Sequence, residues 1–234
     1  MSAYDKDGLH SVHNHEFMDD PRFIRAYARG VKATGIDYNW HWRVHTGLWA
    51  ATHAARLEGD FIEFGVAKGF LSSSIMTFLD WDKRGKTFYL CDTFYGLDQK
   101  YVSAEELSDG AMKKNQHLID IGLYSVDAKA VTENFAEWKN ARVVPGPVPE
   151  TLAQLPADAR FAFAHIDMNC APPEVAAATY LWDRLSDGGM ILLDDYAYAG
   201  YRHQKVAMDK FAKSKNVSVL SLPTGQGLIV RPPR

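Results

Sequence analysis

The sequence predicts an α/β fold built on a doubly wound, mostly parallel sheet. Short apolar runs alternate along the chain with amphipathic segments, which is typical of successive β-α-β units. Several of these runs end at an acidic residue, where the pattern breaks into a loop. The last two runs are separated by a short turn that contains Pro223 and Gly225, which predicts a C-terminal hairpin.

Seven apolar runs have the length and residue types of buried strands. Together they predict a Rossmann-like sheet of seven strands that is closed by the hairpin. In chain order the predicted strands are Phe61–Val66, Thr87–Asp92, Arg142–Val144, Phe161–Asp167, Met190–Asp194, Val217–Leu220 and Gly227–Val230.

Helical spacing fills the gaps between these strands. Apolar residues recur on one helix face within Phe70–Leu79 and again within Val175–Leu185. Pro172 and Pro173 lie where the second of these helices begins, a position that tolerates proline. We predict that Gly188-Gly189 closes the same unit after the helix.

Two further segments lie outside this alternation. The residues before the first strand have helical patterns, including Trp40–Leu57, which predicts a helical N-terminal cap over 1–58 and a main domain over 59–234. The cap is a candidate for subunit contact in a homo-oligomer. The charged segment Asp98–Gly122 predicts a lid or binding loop with a short helix near Ala104–Lys113.

Composition excludes several classes of function. The 234 residues are 47% hydrophobic and carry a formal net charge of -3, so there is no basic excess and a nucleic-acid partner is disfavoured. No apolar run is long enough for a membrane span, and the N-terminus lacks the layout of a signal peptide. Cys91 and Cys170 are the two cysteines, which gives no disulfide framework. We therefore expect a cytoplasmic protein with a small-molecule partner, and neither a nucleic-acid nor a membrane partner.

The loop after the first strand is the first candidate for ligand binding, because open α/β sheets bind ligands at the carboxyl ends of strands. Gly65 and Gly69 are spaced as GxxxG, a poor match to the GxGxxG of dinucleotide sites. Glu63 could end its strand in solvent, or its carboxylate could accept hydrogen bonds from an ammonium group, such as that of a methionine moiety.

A second acid ends the next strand. Asp92, followed by Thr93 and Phe94, can bind two ribose hydroxyls, although a turn cap is the alternative for a strand-terminal aspartate. Gly146 follows the third strand and permits close approach of an adenine, or makes an ordinary turn. The predicted cofactor site thus comprises Glu63, Gly65, Asp92, Thr93, Phe94 and Gly146.

Three further aspartates end two predicted neighbouring strands. Asp167 ends one strand, and Asp194 and Asp195 end the other, so three carboxylates should converge at the ligand edge. Converging acids repel one another, and a hard divalent cation relieves that repulsion. An all-oxygen set favours Mg²⁺, Mn²⁺ or Ca²⁺ over zinc. The alternative is ordinary helix capping and salt bridging.

His165, Asp167 and Asn169 alternate, so they share one face if the strand extends that far. We predict these three as catalytic residues. Asn169 can orient a hydroxyl or ligate a metal through its oxygen, but it cannot accept a proton. His165 titrates in a suitable range, although a buried, hydrogen-bonded histidine is the alternative.

Two other groups of residues have both functional and packing interpretations. His41 and His45 have i,i+4 spacing and could ligate a metal, but no third soft ligand is near in sequence, so we favour packing or cleft lining. Tyr196, Tyr198 and Tyr201 follow the acidic pair and could stack on a sugar or aromatic ring, or simply pack.

Taken in order, five stretches resemble the macrocin O-methyltransferase family of class I methyltransferases. Members of that family use S-adenosylmethionine and Mg²⁺ to methylate sugar hydroxyls, typically in natural-product pathways. The stretches are Gly59–Val66, Asp92–Leu97, His165–Asp167, Leu185–Tyr196 and Pro223–Val230.

The resemblance implies roles for individual residues. It puts Glu63, Gly65 and Asp92 at cofactor positions and Asp167, Asp194 and Asp195 at metal positions. The family usually has a second acid two residues after the first metal aspartate, acting as general base, and this chain has Asn169 there.

The sequence therefore predicts an enzyme, an S-adenosylmethionine-dependent O-methyltransferase that acts on a small-molecule hydroxyl with the help of a divalent metal such as Mg²⁺. The acceptor implied by the resemblance is a sugar or natural-product intermediate. Because of Asn169, a protein that binds the cofactor but has lost or changed its chemistry remains an alternative. A nicotinamide-dependent reductase is disfavoured by the missing GxGxxG.

Overall fold

A computed structural model describes residues 3–124 and 127–233 and confirms the predicted α/β fold. A small N-terminal hairpin precedes a seven-stranded sheet. The hairpin strands are β1 (Tyr4–Lys6) and β2 (Leu9–Ser11), and the sheet strands are β3 (Asp60–Phe64), β4 (Phe88–Asp92), β5 (Ala141–Pro145), β6 (Phe161–Ile166), β7 (Leu185–Leu193), β8 (Leu220–Ser221) and β9 (Gly227–Val230).

Eight α-helices lie within the described residues. They are α1 (Pro21–Thr34), α2 (His41–Ala54), α3 (Phe70–Phe78), α4 (Ala104–Ser108), α5 (Ala111–Asp120), α6 (Ala128–Asn134), α7 (Ala171–Trp182) and α8 (Arg202–Ser214). Across 3–124 and 127–233, none of them combines the length and the apolar character that crossing a membrane requires.

The strand order of the sheet is β5-β4-β3-β6-β7-β9-β8. The first five strands are parallel, whereas β9 runs antiparallel to both β7 and β8. The direction of winding reverses between β3 and β6, which are neighbours in the centre of the sheet. A crevice therefore opens at the carboxyl ends of these two strands, where ligands bind in folds of this type.

Hydrophobic residues cover both faces of the sheet. On one face, Phe61 and Phe163 pack with residues of α1, α2 and α3. On the other, Ile62 and Ile191 pack with residues of α7 and α8. Because α1 and α2 share one hydrophobic cluster with the sheet, the predicted N-terminal cap belongs to the same core, and the boundary at residue 58 stays a prediction.

The N-terminal hairpin differs from the helical structure predicted for that region. Asp7 and Gly8 form its turn with φ of 52° and 69°, the left-handed conformation that tight hairpins require. An Asp-Gly pair is a strong hairpin signal, so the sequence does contain the information. The predicted helix over Trp40–Leu57 is confirmed as α2.

Two of the predicted strands begin three or more residues away from the observed start. Strand β7 begins at Leu185 rather than Met190, so Gly188-Gly189 lies inside a strand instead of closing the helical unit. An added Cβ at Gly189 would lie 2.8 Å from Leu185 Cγ, so a side chain does not fit there. Strand β8 is shorter than predicted, because the Val217 N–H still donates to Ala212 at the end of α8.

The predicted lid contains two helices where one was expected. Ser103 and Glu106 form a reciprocal capping box at the start of α4. Gly110, with φ of 83°, separates α4 from α5. Asn115 of α5 is buried and accepts a hydrogen bond from the Leu97 N–H at 2.8 Å. The lid segment is thus fixed to the loop that follows β4.

Candidate functional site

Two adjoining clefts open at the carboxyl edge of β3, β4 and β6. The β5-side cleft encloses about 760 Å³ and extends towards the end of β5. The α2-side cleft encloses about 1270 Å³ and extends towards α2 and α5. Both spaces are continuous with solvent. The residues that line both clefts are Gly65, Ala67, Tyr124, Asp167 and Asn169.

Gly65 lies where the two clefts meet. Its φ is 86°, and its N–H donates to the Cys91 carbonyl at 2.8 Å. An added Cβ would collide with the backbone oxygen of Asp167 and lie 2.5 Å from the carbonyl carbon of that residue. The loops after β3 and β6 can approach this closely because residue 65 has no side chain.

Asp92 closes the loop after β3. The backbone N–H groups of Val66 and Ala67 donate to its Oδ2 at 2.7 and 2.8 Å, and that of Phe94 donates to Oδ1 at 2.7 Å. Burial outweighs these bonds and raises the pKa of Asp92 above its ordinary value. The predicted turn-cap role is therefore present. A carboxylate has further lone pairs, and Asp92 lines the β5-side cleft, so the turn-cap bonds leave it able to bind a ribose. Ribose binding itself stays a prediction.

Two of the other predicted cofactor residues also line the β5-side cleft. Thr93 does so while its hydroxyl donates to the Gly96 carbonyl at 2.6 Å. Gly146 does so with φ of 131°, and its N–H donates to the Asp92 carbonyl at 2.8 Å. Phe94 differs, because its side chain is buried in the hydrophobic core and lines neither cleft. Its contribution is the backbone N–H that binds Asp92.

Glu63 and His165 form a buried pair across β3 and β6. They are register neighbours, each is 3% exposed, and Oε1 of Glu63 lies 2.8 Å from Nδ1 of His165. Glu63 is therefore not a solvent-exposed strand end. Its second oxygen, Oε2, has no hydrogen-bond partner among the described residues, although the side chain lines the α2-side cleft. A buried acceptor of this kind suits a cationic donor such as an ammonium group.

The three strand-terminal aspartates converge, as the sequence predicts. Asp167, Asp194 and Asp195 each offer a carboxylate oxygen, and these oxygens all lie within 4.8 Å of one another. Two backbone bonds fix the arrangement. The Asp167 N–H donates to the Phe64 carbonyl at 2.8 Å, and the Asp194 N–H donates to the Ile166 carbonyl at 3.0 Å. We call these three residues the acid cluster.

Asp194 has strong partners within the acid cluster. Nη1 of Arg43 donates to Asp194 Oδ2 at 2.5 Å, and Nε2 of Gln226 donates to Oδ1 at 3.0 Å. His165 Nε2 lies 3.5 Å from the same Oδ1. Although burial opposes ionisation, Arg43 and His165 lower the pKa of Asp194 below its ordinary value. Burial also opposes the charge of His165, but Asp194 and Glu63 raise the pKa of its ring to about 10.

The other two acids are not neutralised in the same way. Burial and the charge of Asp194 raise the pKa of Asp195 to about 7, and Arg43 lies 3.8 Å from its Oδ1. Burial, Asp194 and Asp195 raise the pKa of Asp167 well above its ordinary value. Three ionised carboxylates would carry more negative charge than Arg43 and His165 balance, so Asp167 and Asp195 hold protons more strongly than free aspartates do. A hard divalent cation can take the place of those protons on a set of carboxylate oxygens.

Asn169 reaches the acid cluster by a different route from the one predicted. Strand β6 ends at Ile166, and Asn169 has a left-handed φ of 56°, so it shares no strand face with His165. Its Nδ2 donates to Asp167 Oδ1 at 3.2 Å. The structure still brings His165, Asp167 and Asn169 together, because all three line the α2-side cleft.

The tyrosines after the acidic pair have separate environments. Tyr196 is buried, and its hydroxyl donates to Asp209 at 2.5 Å, so it packs away from the clefts. Tyr198 and Tyr201 line the α2-side cleft, and Nζ of Lys114 lies 3.6 Å from the centre of the Tyr201 ring. The predicted stacking surface therefore comprises two tyrosines rather than three.

His41 and His45 pack as predicted. The His41 ring is stacked on Tyr27 with centroids 4.3 Å apart, and the His45 ring is stacked on Phe17 at 4.0 Å. Neither histidine lines the α2-side cleft. Among the described residues, the group that could hold a metal ion is the acid cluster, which includes neither histidine. The structure therefore does not support metal binding by His41 and His45.

Sequence reasoning missed the polar partners of Asp194. Arg43 lies on the buried face of α2 with Val44, Gly47 and Leu48. A charged residue on an otherwise apolar helix face was a usable signal, because such residues are buried only with a partner. Gln226 lies in the turn before β9, and nothing in its local pattern points to Asp194.

Comparison with protein families places most of the chain in one group. A family model described as macrocin O-methyltransferase (TylF) matches residues 46–220. The 4'-O-methyltransferase of 8-demethyl-8-(2,3-dimethoxy-alpha-L-rhamnosyl)-tetracenomycin C from Streptomyces olivaceus is 27% identical over 147 residues. The mycinamicin III 3''-O-methyltransferase of Micromonospora griseorubida is 26% identical over 149 residues. These matches cover 59% and 62% of this chain but 53% and 58% of the relatives, so the chain spans little more than half their length.

Solved structures share the fold at low sequence identity. The O-methyltransferase NovP superposes with a TM-score of 0.68 at 20% identity, covering 82% of this chain and 80% of that one. CalS11, a calicheamicin methyltransferase, gives 0.56 at 16% identity and covers 94% of each chain. The SAH-bound methyltransferase PaMTH1 of Podospora anserina gives 0.53 at 14% identity, covering 97% of this chain and all of that one.

Proposed function

Because the chain belongs to the macrocin O-methyltransferase family, we propose that it transfers the methyl group of S-adenosylmethionine to a hydroxyl group of a small molecule, assisted by a divalent cation. The proposed acceptor is a sugar or another natural-product intermediate, since both curated relatives are named for O-methylation of such compounds. The observation that carries the proposal is the acid cluster, which shares one cleft with Glu63 and Gly65.

The two clefts suggest how the ligands divide. The unpaired Oε2 of Glu63 suits the ammonium group of the cofactor, and Gly65 permits close approach of its chain. Asp92, Thr93 and Gly146 in the β5-side cleft suit its nucleoside part. The rest of the α2-side cleft then remains for the acceptor, with Tyr198 and Tyr201 as walls on which a ring can stack.

When bound, S-adenosylmethionine supplies an activated methyl group, and a divalent cation supplies positive charge that favours ionisation of an acceptor hydroxyl. Asp167, Asp194 and Asp195 would hold the cation, and Asn169 would orient the hydroxyl without taking its proton. His165, whose pKa Asp194 and Glu63 raise to about 10 against the effect of burial, would hold a proton at Nε2. Positioning of the reacting groups by these side chains can contribute several kcal/mol to the lowering of the barrier, on the order of what intramolecular reactions gain.

Methyl transfer tests the proposal directly. With S-adenosylmethionine and a panel of sugar and phenolic hydroxyl compounds, we expect the wild-type protein to methylate sugar-containing acceptors. Asn169→Asp should retain the fold and raise the rate of methyl transfer up to about tenfold, because it adds a carboxylate that can take the proton of the substrate hydroxyl. Asn216→Asp is the matched control, since Asn216 is exposed and has nearly the same φ, 55°.

The same measurements separate this proposal from the alternative of a cofactor-binding protein without turnover. The alternative would be favoured if calorimetry detects S-adenosylhomocysteine binding but neither wild type nor Asn169→Asp transfers a methyl group. The observation that supports this alternative is the amide at position 169. Absence of S-adenosylhomocysteine binding would refute both.

Metal binding is a separate prediction. Mg²⁺ or Mn²⁺ should raise the melting temperature with concentration, because a ligand that binds only the folded protein stabilises it. Asp195→Asn should remove most of this shift, since it removes one charge of the acid cluster and keeps the side-chain shape. Asp109→Asn makes the same charge change at a residue whose side chain is 70% exposed, and it should leave the shift intact. If EDTA affects neither stability nor methyl transfer, the three acids are structural.

A further inference from the structure

Two charged residues of the N-terminal region contact each other beside the acid cluster. Asp7 lies in the turn of the β1–β2 hairpin, and Arg43 lies in the first turn of α2. Neither belongs to the segment that the family model matches, which covers residues 46–220. Nε of Arg43 donates to Asp7 Oδ2 at 2.9 Å, while Nη1 donates to Asp194 at both Oδ2 and the backbone oxygen, at 2.5 and 3.3 Å. One guanidinium therefore links the hairpin to the acid cluster.

The link is shielded from solvent. The side chains of Asp7, Arg43 and Asp194 are 7%, 5% and 10% exposed. The guanidinium carbon of Arg43 lies 4.5 Å from the centre of the Tyr198 ring and 5.6 Å from that of Trp40. Charges in such an environment interact more strongly than they do in water, and two fixed carboxylate partners hold the guanidinium in one place.

The position of Arg43 affects any cation that approaches the acid cluster. Its positive charge lies against Asp194 and 3.8 Å from Asp195 Oδ1, so it repels a divalent ion there. The carboxylate of Asp7 offsets this charge at another nitrogen of the guanidinium, Nε. Without Asp7, the charge of Arg43 would be balanced only from within the cluster, by Asp194 and by Asp195 at 3.8 Å, so it would oppose a bound cation more strongly.

We propose that Arg43 and Asp7 are positioning residues of the candidate active site: Arg43 fixes the carboxylate of Asp194, and Asp7 offsets the charge of Arg43 so that the acid cluster accepts a divalent cation. The proposal rests on the metal-assisted function proposed above. It makes the N-terminal hairpin, which the family match leaves out, a determinant of metal affinity.

Three variants of the full chain test the proposal by calorimetry with Mn²⁺ alone, without S-adenosylmethionine. Asp7→Asn should raise the Kd for Mn²⁺ about tenfold, because Asp7 no longer offsets the charge of Arg43 beside the acid cluster. Asp5→Asn is the matched control on the same hairpin, because the Asp5 side chain is 80% exposed, and its Kd should stay within about twofold of wild type. The double variant Asp7→Asn with Arg43→Gln removes the repelling charge together with the group that fixes Asp194. Removing both members of a buried pair is less disruptive than breaking it, so the Kd of the double variant should lie between those of Asp7→Asn and wild type.

The double variant separates positioning from a merely structural role, because a second substitution would only worsen a structural defect. A Kd for Asp7→Asn equal to that of Asp5→Asn would overturn the proposal. So would a double variant as weak as Asp7→Asn, since Asp7 would then act without Arg43. If wild type binds no Mn²⁺ but the double variant does, the metal-assisted function fails and Arg43 is shown to exclude the ion. If neither binds, both proposals are wrong.

Discussion

Replacing Gly65 with alanine is expected to destabilise the protein by at least about 3 kcal/mol and to abolish binding of S-adenosylhomocysteine. The added Cβ would collide with the Asp167 backbone oxygen and lie 2.5 Å from its carbonyl carbon. Both atoms belong to the backbone that positions the acid cluster, so relief of the collision would displace Asp167. Urea unfolding measures the loss of stability, and calorimetry measures the loss of binding.

Gly85→Ala separates the collision from backbone strain. Gly85 also has a left-handed φ, 65°, but nothing lies within 4 Å of its added Cβ. Its substitution should cost only the conformational term, about 1–2 kcal/mol. If the Gly65 and Gly85 variants unfold at the same urea concentration, the loop after β6 can move away from residue 65 at little cost. The close approach of the loops after β3 and β6 would then not constrain the site.

Asp92→Ala is expected to lower the affinity for S-adenosylmethionine at least about a hundredfold. The carboxylate accepts hydrogen bonds from Val66, Ala67 and Phe94, and its removal leaves three backbone donors without it, at roughly 1 kcal/mol or more each. The loops that shape the β5-side cleft would then lose their common anchor. Calorimetry with S-adenosylmethionine and S-adenosylhomocysteine measures the change.

Asp98→Ala is the corresponding control within the same cleft. Asp98 also lines the β5-side cleft and carries the same charge, but its Oδ1 accepts a backbone bond from Lys100 alone, at 3.0 Å. Its variant should bind the cofactor nearly as well as wild type. Unchanged affinity in Asp92→Ala would show that neither the Asp92 carboxylate nor the loops it anchors contribute to cofactor binding.

Much of the site could be predicted because parallel strands fix where their ends lie. Once the apolar runs identify the strands, the residues that end them must meet at one edge of the sheet. The convergence of Asp167 with Asp194 and Asp195 follows from this rule alone. The position of Glu63 opposite His165 was not predicted, because the register between two strands cannot be read from either strand alone.

The errors have two physical causes. Alternation along a strand predicts a shared face only while the strand continues, and Asn169 lies beyond its end in a left-handed conformation. The contact between Arg43 and Asp194 spans 151 residues and depends on how α2 packs, which local spacing does not encode. The hairpin around Asp7 was predictable from its Asp-Gly turn, but its contact with Arg43 was not.

Asp194 is held by residues from both terminal regions. Arg43, which also binds Asp7, comes from the N-terminal region, and Gln226 comes from the C-terminal region. A fragment trimmed to residues 46–220 would keep all three acids and lose every one of these partners. If the acid cluster binds a cation as proposed, two proteins with the same three acids can differ in their affinity for that cation through changes confined to their terminal regions. Differences in metal preference between such proteins can then arise from sequence variation outside the matched segment.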